Sequence, residues 1–212
     1  IVFGDWSSDV CSSDLHFKGT HMESIIEIVR PMHRLLTPDP AIKAMPKMIE
    51  LAGRTCYRSE GVITDQSADP FVRRLCRSGH ESVLEHQSIT VWLRTDRATS
   101  HQLVRHRLAS YSQESQRYCN YGITRMRAIV PPDLSISEGP IDWRDYVVEA
   151  TRPVNIWINA MLHAAQAYTC LLAGGLRPED ARSVLPNATA TAITMTANIR
   201  QWRHIFRERV FN

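Results

Sequence analysis

Apolar positions recur along the chain in two rhythms, and the places where one gives way to the other mark the expected elements. Glu23 to Arg30 carries Ile25, Ile26, Ile28 and Val29 close together, a first strand. Asp39 is expected to cap a helix through about Ala52, which Pro46 must kink or shorten. Asp69-Pro70 opens a second helix bearing Phe71, Val72 and Leu75, and Gly79 is placed to end it. From Gln87 to Arg94, Ile89, Val91 and Leu93 alternate with Ser88, Thr90 and Trp92, the pattern of a half-buried strand. Thr95 or Asp96 then caps a helix to about Arg107, with Ala98, His101, Gln102 and Arg105 along one face. Residues 108 to 122 hold no sustained period and read as a loop, and Met126 to Val130 as a short strand before Pro131-Pro132.

The longest helical pattern runs from Asp142 to Ala173, with Val154, Trp157, Met161, Ala165, Tyr168 and Leu172 on one stripe and Pro153 as an expected kink. Gly174-Gly175 stops it, and Pro178, followed by Glu179 and Asp180, starts a short helix up to Leu185-Pro186. Ala188 to Met195 reads as a strand rich in threonine. Asn198 caps a last helix whose Ile199, Trp202, Ile205 and Phe206 form an apolar stripe beside a basic one of Arg200, Arg203, His204 and Arg207. This mixture is α/β or α+β, and no linker interrupts residues 22–212, which read as one domain.

The first 21 residues stand apart. Trp6-Ser7-Ser8-Asp9-Val10 nearly repeats as Cys11-Ser12-Ser13-Asp14-Leu15 without any structural period, and the apolar core of a signal peptide is missing, so residues 1–21 are expected to be a tag or adapter-derived segment ahead of Met22. That segment holds three acids and one lysine, so the net charge of +3 becomes +5 without it. Of the 25 basic residues only Lys18, Lys43 and Lys47 are lysine. Arginine forks suit phosphate and carboxylate, although a GC-rich genome is the simpler cause of the bias. Cysteines 56, 76, 119 and 170 form no CxxC pair, and no stretch reaches the roughly 18 apolar residues of a membrane span, which fits a cytoplasmic protein.

Candidate chemistry concentrates in Arg105-His106-Arg107 and in Ser115, Gln116 and Arg117. Guanidiniums at this spacing can hold a phosphate or the edge of an anionic ring; a solvated basic helix end is the alternative. Arg105-His106-Arg107 followed after seven residues by Ser115 resembles the RHRx7S motif of the flavin-dependent thymidylate synthases. The resemblance extends upstream through Gly79-His80-Glu81-Ser82-Val83-Leu84-Glu85-His86. Downstream it covers Ala181-Arg182-Ser183-Val184-Leu185-Pro186 and Asn198-Ile199-Arg200-Gln201-Trp202-Arg203-His204, four ordered blocks in all.

The resemblance implies a mixed, largely antiparallel sheet flanked by helices, FAD as cofactor, and conversion of dUMP to dTMP with 5,10-methylenetetrahydrofolate and NADPH. It implies a homotetramer with FAD at subunit interfaces. Arg105, His106 and Arg107 then match flavin contacts, joined by His80, Ser82, Glu85, Gln113, Asn198, Arg200 and His204. Gln102, Arg105, Gln113, Glu114, Ser115, Gln116, Arg117 and Arg182 match positions that hold dUMP, the phosphate falling to Arg117 and Arg182. Arg209 matches the arginine that polarises the uracil. Family members continue beyond the last motif, so the chain is expected to be truncated at its C-terminus.

Other chemistries fit less well. There is no GxGxxG or Walker A loop, so no Rossmann crossover is expected. His80 and His86 are six apart where a helical zinc pair needs four, no GxSxG elbow surrounds Ser115, and the aromatics do not interleave with arginines as a nucleic-acid platform would require. A basic nucleic-acid-binding module is the rival reading. Cys119 lies four residues past Ser115, yet a lone cysteine is commonly a small buried hydrophobe. Cys119→Ala should therefore keep dUMP-dependent activity, and complete loss with FAD still bound would make the thiol catalytic.

Overall fold

The computed structural model describes residues 26–210; the expectations for the first 21 residues and for Glu23 to Ile25 lie outside them. In chain order the elements are β1 (Ile26–Val29), β2 (Met32–Leu35), α1 (Asp39–Thr55), α2 (Ala68–Arg77), β3 (Ser88–Asp96), α3 (Arg97–Leu103), β4 (Ala109–Gln113), α4 (Tyr121–Thr124), β5 (Met126–Ile129), β6 (Gly139–Ile141), α5 (Pro153–Ala173), α6 (Pro178–Ala181), β7 (Ala190–Asn198) and α7 (Ile199–Val210). They form a mixed α/β protein with two sheets, grouped in two compact units.

One unit joins β1 to the segment Ser115–Thr189. Its sheet has the order β5-β1-β6, with β1 parallel to β5 and antiparallel to β6. Ile26, Ile28, Met126 and Ala128 from this sheet pack with Ile158, Leu162, Ala165 and Tyr168 of α5. The Tyr168 hydroxyl accepts the Tyr121 N–H at 3.4 Å, so its buried oxygen is satisfied. Pro153 begins α5 rather than kinking it: at the first helical position a missing N–H costs no helical hydrogen bond. Asp142 to Asp145 form a separate short turn closed by reciprocal caps, Asp142 accepting from the Arg144 N–H at 2.7 Å and Asp145 from the Asp142 N–H at 3.1 Å.

The other unit, Arg30–Glu114 with Ala190–Asn212, holds an antiparallel sheet of order β2-β3-β7-β4. β3 is half-buried from Ile89 to Asp96 with no contrast between its two faces, because both carry residues that neighbouring elements partly cover, whereas β7 alternates, burying Thr191, Ile193, Met195 and Ala197 while Thr194 and Thr196 turn the other way. Thr90 and Thr196 meet across the strands at 2.9 Å. Three strands escaped the sequence reading, among them β6, whose three residues Gly139–Ile141 pair with β1. β2 is an edge strand with every residue exposed, and β4 lies inside the expected loop, held by its ladder to β7 with Tyr111 opposite Met195.

Helix ends differ in detail. Asp39 is the first residue of α1, preceded by Pro38 with no side-chain cap, and α1 runs past Pro46 to Thr55. Asp96 caps α3, accepting the Thr99 N–H at 2.6 Å, but α3 ends at Leu103. Gly79 has φ +72°, the left-handed conformation that lets the chain leave α2 at once. Asn198 caps α7 through the Gln201 N–H at 2.8 Å. Leu162 is fully buried against both sheet and helix residues. Leu162→Ala should destabilise the protein by about 3 kcal/mol in urea unfolding, the scale for a cavity left by a core leucine.

Candidate active site

The expected Arg105-His106-Arg107 motif lies just beyond α3, in a tight turn where the Arg105 and His106 N–H groups bond back to the carbonyls of Gln102 and Leu103 at 3.2 and 3.1 Å. Tyr111 of β4 pins this turn, its hydroxyl 2.9 Å from the Leu103 carbonyl and 2.8 Å from that of His106. Burial pushes the Tyr111 hydroxyl up from its ordinary value, so it stays protonated and donating. His106 is thereby buried while Arg105 and Arg107 remain exposed.

From α7, Arg209 reaches the same turn. Its Nε donates to His106 Nε2 at 3.2 Å and its Nη1 to Gln102 Oε1 at 3.1 Å. His204 meets the His106 ring edge-on at 6.1 Å between centroids. The structure thus brings together Gln102, His106, His204 and Arg209, which the sequence reading had assigned to nucleotide, flavin and uracil separately.

Nearer the start of α7, three arginines converge on carboxylates from the turn Ser82–His86 and the residue before it. Arg200 Nη1 lies 2.5 Å from Glu85 Oε1, Arg203 Nη2 lies 3.2 Å from Glu81 Oε1, and Arg207 Nη2 lies 3.8 Å from the same oxygen. Glu81, mostly buried, is a functional-site neighbour that the sequence reading gave only as a member of the Gly79–His86 block without a role; no spacing rule pairs it with Arg203, 122 positions later. A cavity of about 450 Å³ opens here, lined by Glu81, Glu85, Leu108, Asn198, Arg200, Gln201, His204 and Arg207. Four expected flavin contacts, Glu85, Asn198, Arg200 and His204, share it. Its donors suit a dinucleotide: guanidiniums for pyrophosphate, amides for a ring edge, and an apolar side chain in Leu108. His80 and Ser82 are exposed near the same turn and do not line the cavity.

Gln113 and Glu114 point their bonds inward. Gln113 Nε2 donates to Ser100 Oγ at 2.8 Å and Thr191 Oγ1 at 3.3 Å, both buried, while Glu114 Oε2 accepts the Ala192 N–H at 3.3 Å. In the other unit, the Ser115 hydroxyl accepts the Arg117 N–H at 3.3 Å. Arg117 Nε lies 3.5 Å from Glu179 Oε2, and Arg182 Nε donates to the Glu179 carbonyl at 3.0 Å. The two arginines expected to hold phosphate therefore share one residue. Gln116 is half-buried beside them in sequence.

Both units carry guanidiniums ordered by carboxylates and amides, an arrangement with the chemistry to hold planar, phosphorylated ligands. The thymidylate synthase complementing protein family matches residues 41–212. A flavin-dependent thymidylate synthase of Geobacter sulfurreducens is 38% identical over 177 residues, covering 80% of this chain and 68% of that protein. One from Mycobacterium tuberculosis is 36% identical over 167 residues, covering 75% and 65%. The chain thus spans about two thirds of the length of these curated relatives. Among solved structures, a UMP/dUMP methylase, PolB, from Streptomyces cacaoi bound with 5-Br dUMP matches with a TM-score of 0.66 and 26% identity, over 85% of this chain and 78% of that one. The chain belongs to the flavin-dependent thymidylate synthase family.

Burial, then the neighbouring Arg209 and His204, hold His106 below its ordinary value of 6.5, with Glu208 pulling the other way. The neutral ring is also what the geometry needs, since Nε2 accepts from Arg209. Below 6.5 the unfolded chain binds a proton that the folded chain resists, so stability should fall as pH drops beneath that value and recover above it. Nuclear magnetic resonance titration should give His106 a midpoint below 6.5, and His106→Gln should flatten the acid side of the stability profile. A midpoint at or above the ordinary value would contradict the accepting role.

Proposed function

We propose that the chain catalyses reductive methylation of dUMP to dTMP in the cytoplasm, taking the one-carbon unit from 5,10-methylenetetrahydrofolate and electrons from NADPH, as a homotetramer with FAD between subunits. The observation that carries this reading is the bonding of Arg209 to Gln102 and His106. A guanidinium fixed in that way is oriented before substrate arrives. Beside the uracil ring its permanent charge stabilises negative charge on the pyrimidine and makes C5 a better nucleophile, with no proton leaving the arginine.

Arg117 and Arg182 take the nucleotide phosphate, with Ser115 and Gln116 completing the turn around it. Gln102 and Arg105 meet the nucleotide from the end of α3. Gln113 and Glu114 act from one step back, because their side-chain hydrogen bonds tie the end of β4 to α3 and β7. Asn198, Arg200 and His204 hold FAD together with His106, Arg107, Arg105, His80, Ser82 and Glu85; the Asn198 oxygen is engaged by the Gln201 N–H, which leaves its amide NH2 for the cofactor. FAD when bound supplies the redox equivalents that convert a transferred methylene to a methyl, chemistry no side chain here provides. The role of Ser115 is binding: its hydroxyl accepts from a backbone N–H and meets no activating histidine.

Purified protein should be yellow, bleach with NADPH in the presence of dUMP, and form dTMP with methylenetetrahydrofolate. UMP belongs in the same assay because the Streptomyces cacaoi neighbour is described as a UMP/dUMP methylase. Arg209→Ala should cut kcat by about 10²–10³, the scale for losing one preorganised charge-stabilising donor. A colourless protein that retards oligonucleotides with steep salt dependence would favour the nucleic-acid-binding module instead.

A further inference from the structure

Glu179 occupies an unexpected place between the two phosphate-assigned arginines. Its Oε2 lies 3.5 Å from Arg117 Nε, its Oε1 lies 2.5 Å from Arg177 Nη2, and its carbonyl accepts from Arg182 Nε at 3.0 Å. One residue thus collects three guanidiniums, and Arg177 matches no position in the family motifs quoted above. Three positive charges against one carboxylate leave an excess of two, which fits the dianion of a phosphate monoester. Asp180, exposed on the same turn, pairs with none of the three. As a stabilising device the cluster is poor, because the Arg177 side chain is 76% exposed and solvated ion pairs contribute little. A carboxylate beside a phosphate also repels it, so its presence calls for a compensating role, and holding arginine forks in one orientation is that role.

We propose that Arg177 is a third guanidinium of the phosphate site and that Glu179 is its positioning residue, holding Arg117 and Arg177 by one oxygen each. The inference rests on the assignment of the dUMP phosphate to Arg117 and Arg182. Calorimetric titration of dUMP and of deoxyuridine into the flavin-loaded protein tests it, with Arg177→Ala, Glu179→Gln, Glu179→Asp and, as reference, Arg182→Ala. Arg177→Ala and Glu179→Gln should each raise the Kd for dUMP about tenfold while leaving that for deoxyuridine unchanged. KM for dUMP should rise with kcat preserved, and Glu179→Asp should restore most of the loss. Unchanged dUMP affinity in Arg177→Ala, or tighter binding in Glu179→Gln, overturns the proposal. Arg177→Ala alters an exposed side chain, so it decides the matter even where Glu179→Gln fails to fold. If Arg182→Ala also binds dUMP normally, the phosphate assignment itself falls; if Arg182→Ala alone weakens binding, the assignment stands and only the inference is lost.

Discussion

The pairing of β7 on both of its edges is the constraint from which the cavity-bearing half of the molecule follows. Nine consecutive residues, Ala190 to Asn198, face Asp96 to Ser88 of β3 on one side, and Ile193 to Ala197 face Gln113 to Ala109 of β4 on the other. A strand held in this way cannot slip by one residue without turning Ile193, Met195 and Ala197 out of the core and threonines in. Because α7 begins at the very next residue, the strand's register is also the helix's phase. Asn198 marks the junction, and every arginine on α7 inherits its direction from it.

Electrostatics then does local work that hydrophobic burial leaves undone. Trp202 and Ile205 seat α7 on Met195 and Ala197, and the Trp202 indole donates to the Ile89 carbonyl at 3.0 Å. The opposite side of the helix would carry Arg200, Arg203 and Arg207 into mutual repulsion were it not for Glu81 and Glu85. These partly solvated pairs contribute little to the overall balance of folding. Their effect is directional: the flexible forks of Arg200 and Arg207 are brought to the rim of one cavity.

Much of this was legible in residue order. Apolar alternation marks β3, the capping asparagine marks α7, and four motif blocks gather the candidate chemistry. What was hidden is instructive. β2 is wholly exposed and has no amphipathic signal, while Ala109-Ser110-Tyr111-Ser112-Gln113 becomes a strand because β7 offers it a ladder, a tertiary cause that local preference does not carry. Pro153 reads in the sequence as a kink in a helix from Asp142, and the separate turn capped at Asp142 and Asp145 makes it the start of α5 instead. Glu81 could not be paired with Arg203, nor Glu179 with Arg117, from spacing alone, since these partners lie far apart in sequence.

The contact between Arg209 and the α3 turn has a mechanical side as well as a chemical one. The final turn of any helix tends to fray, since its last carbonyls lack helical partners. Here the guanidinium reaches back over a hundred residues to Gln102 and His106 and moors that turn. The group proposed to polarise the pyrimidine is therefore also the guy-rope that keeps itself in place. Shortening it would slacken the helix end and remove the charge together, so a deficit measured at this position would combine loosened geometry with lost electrostatics.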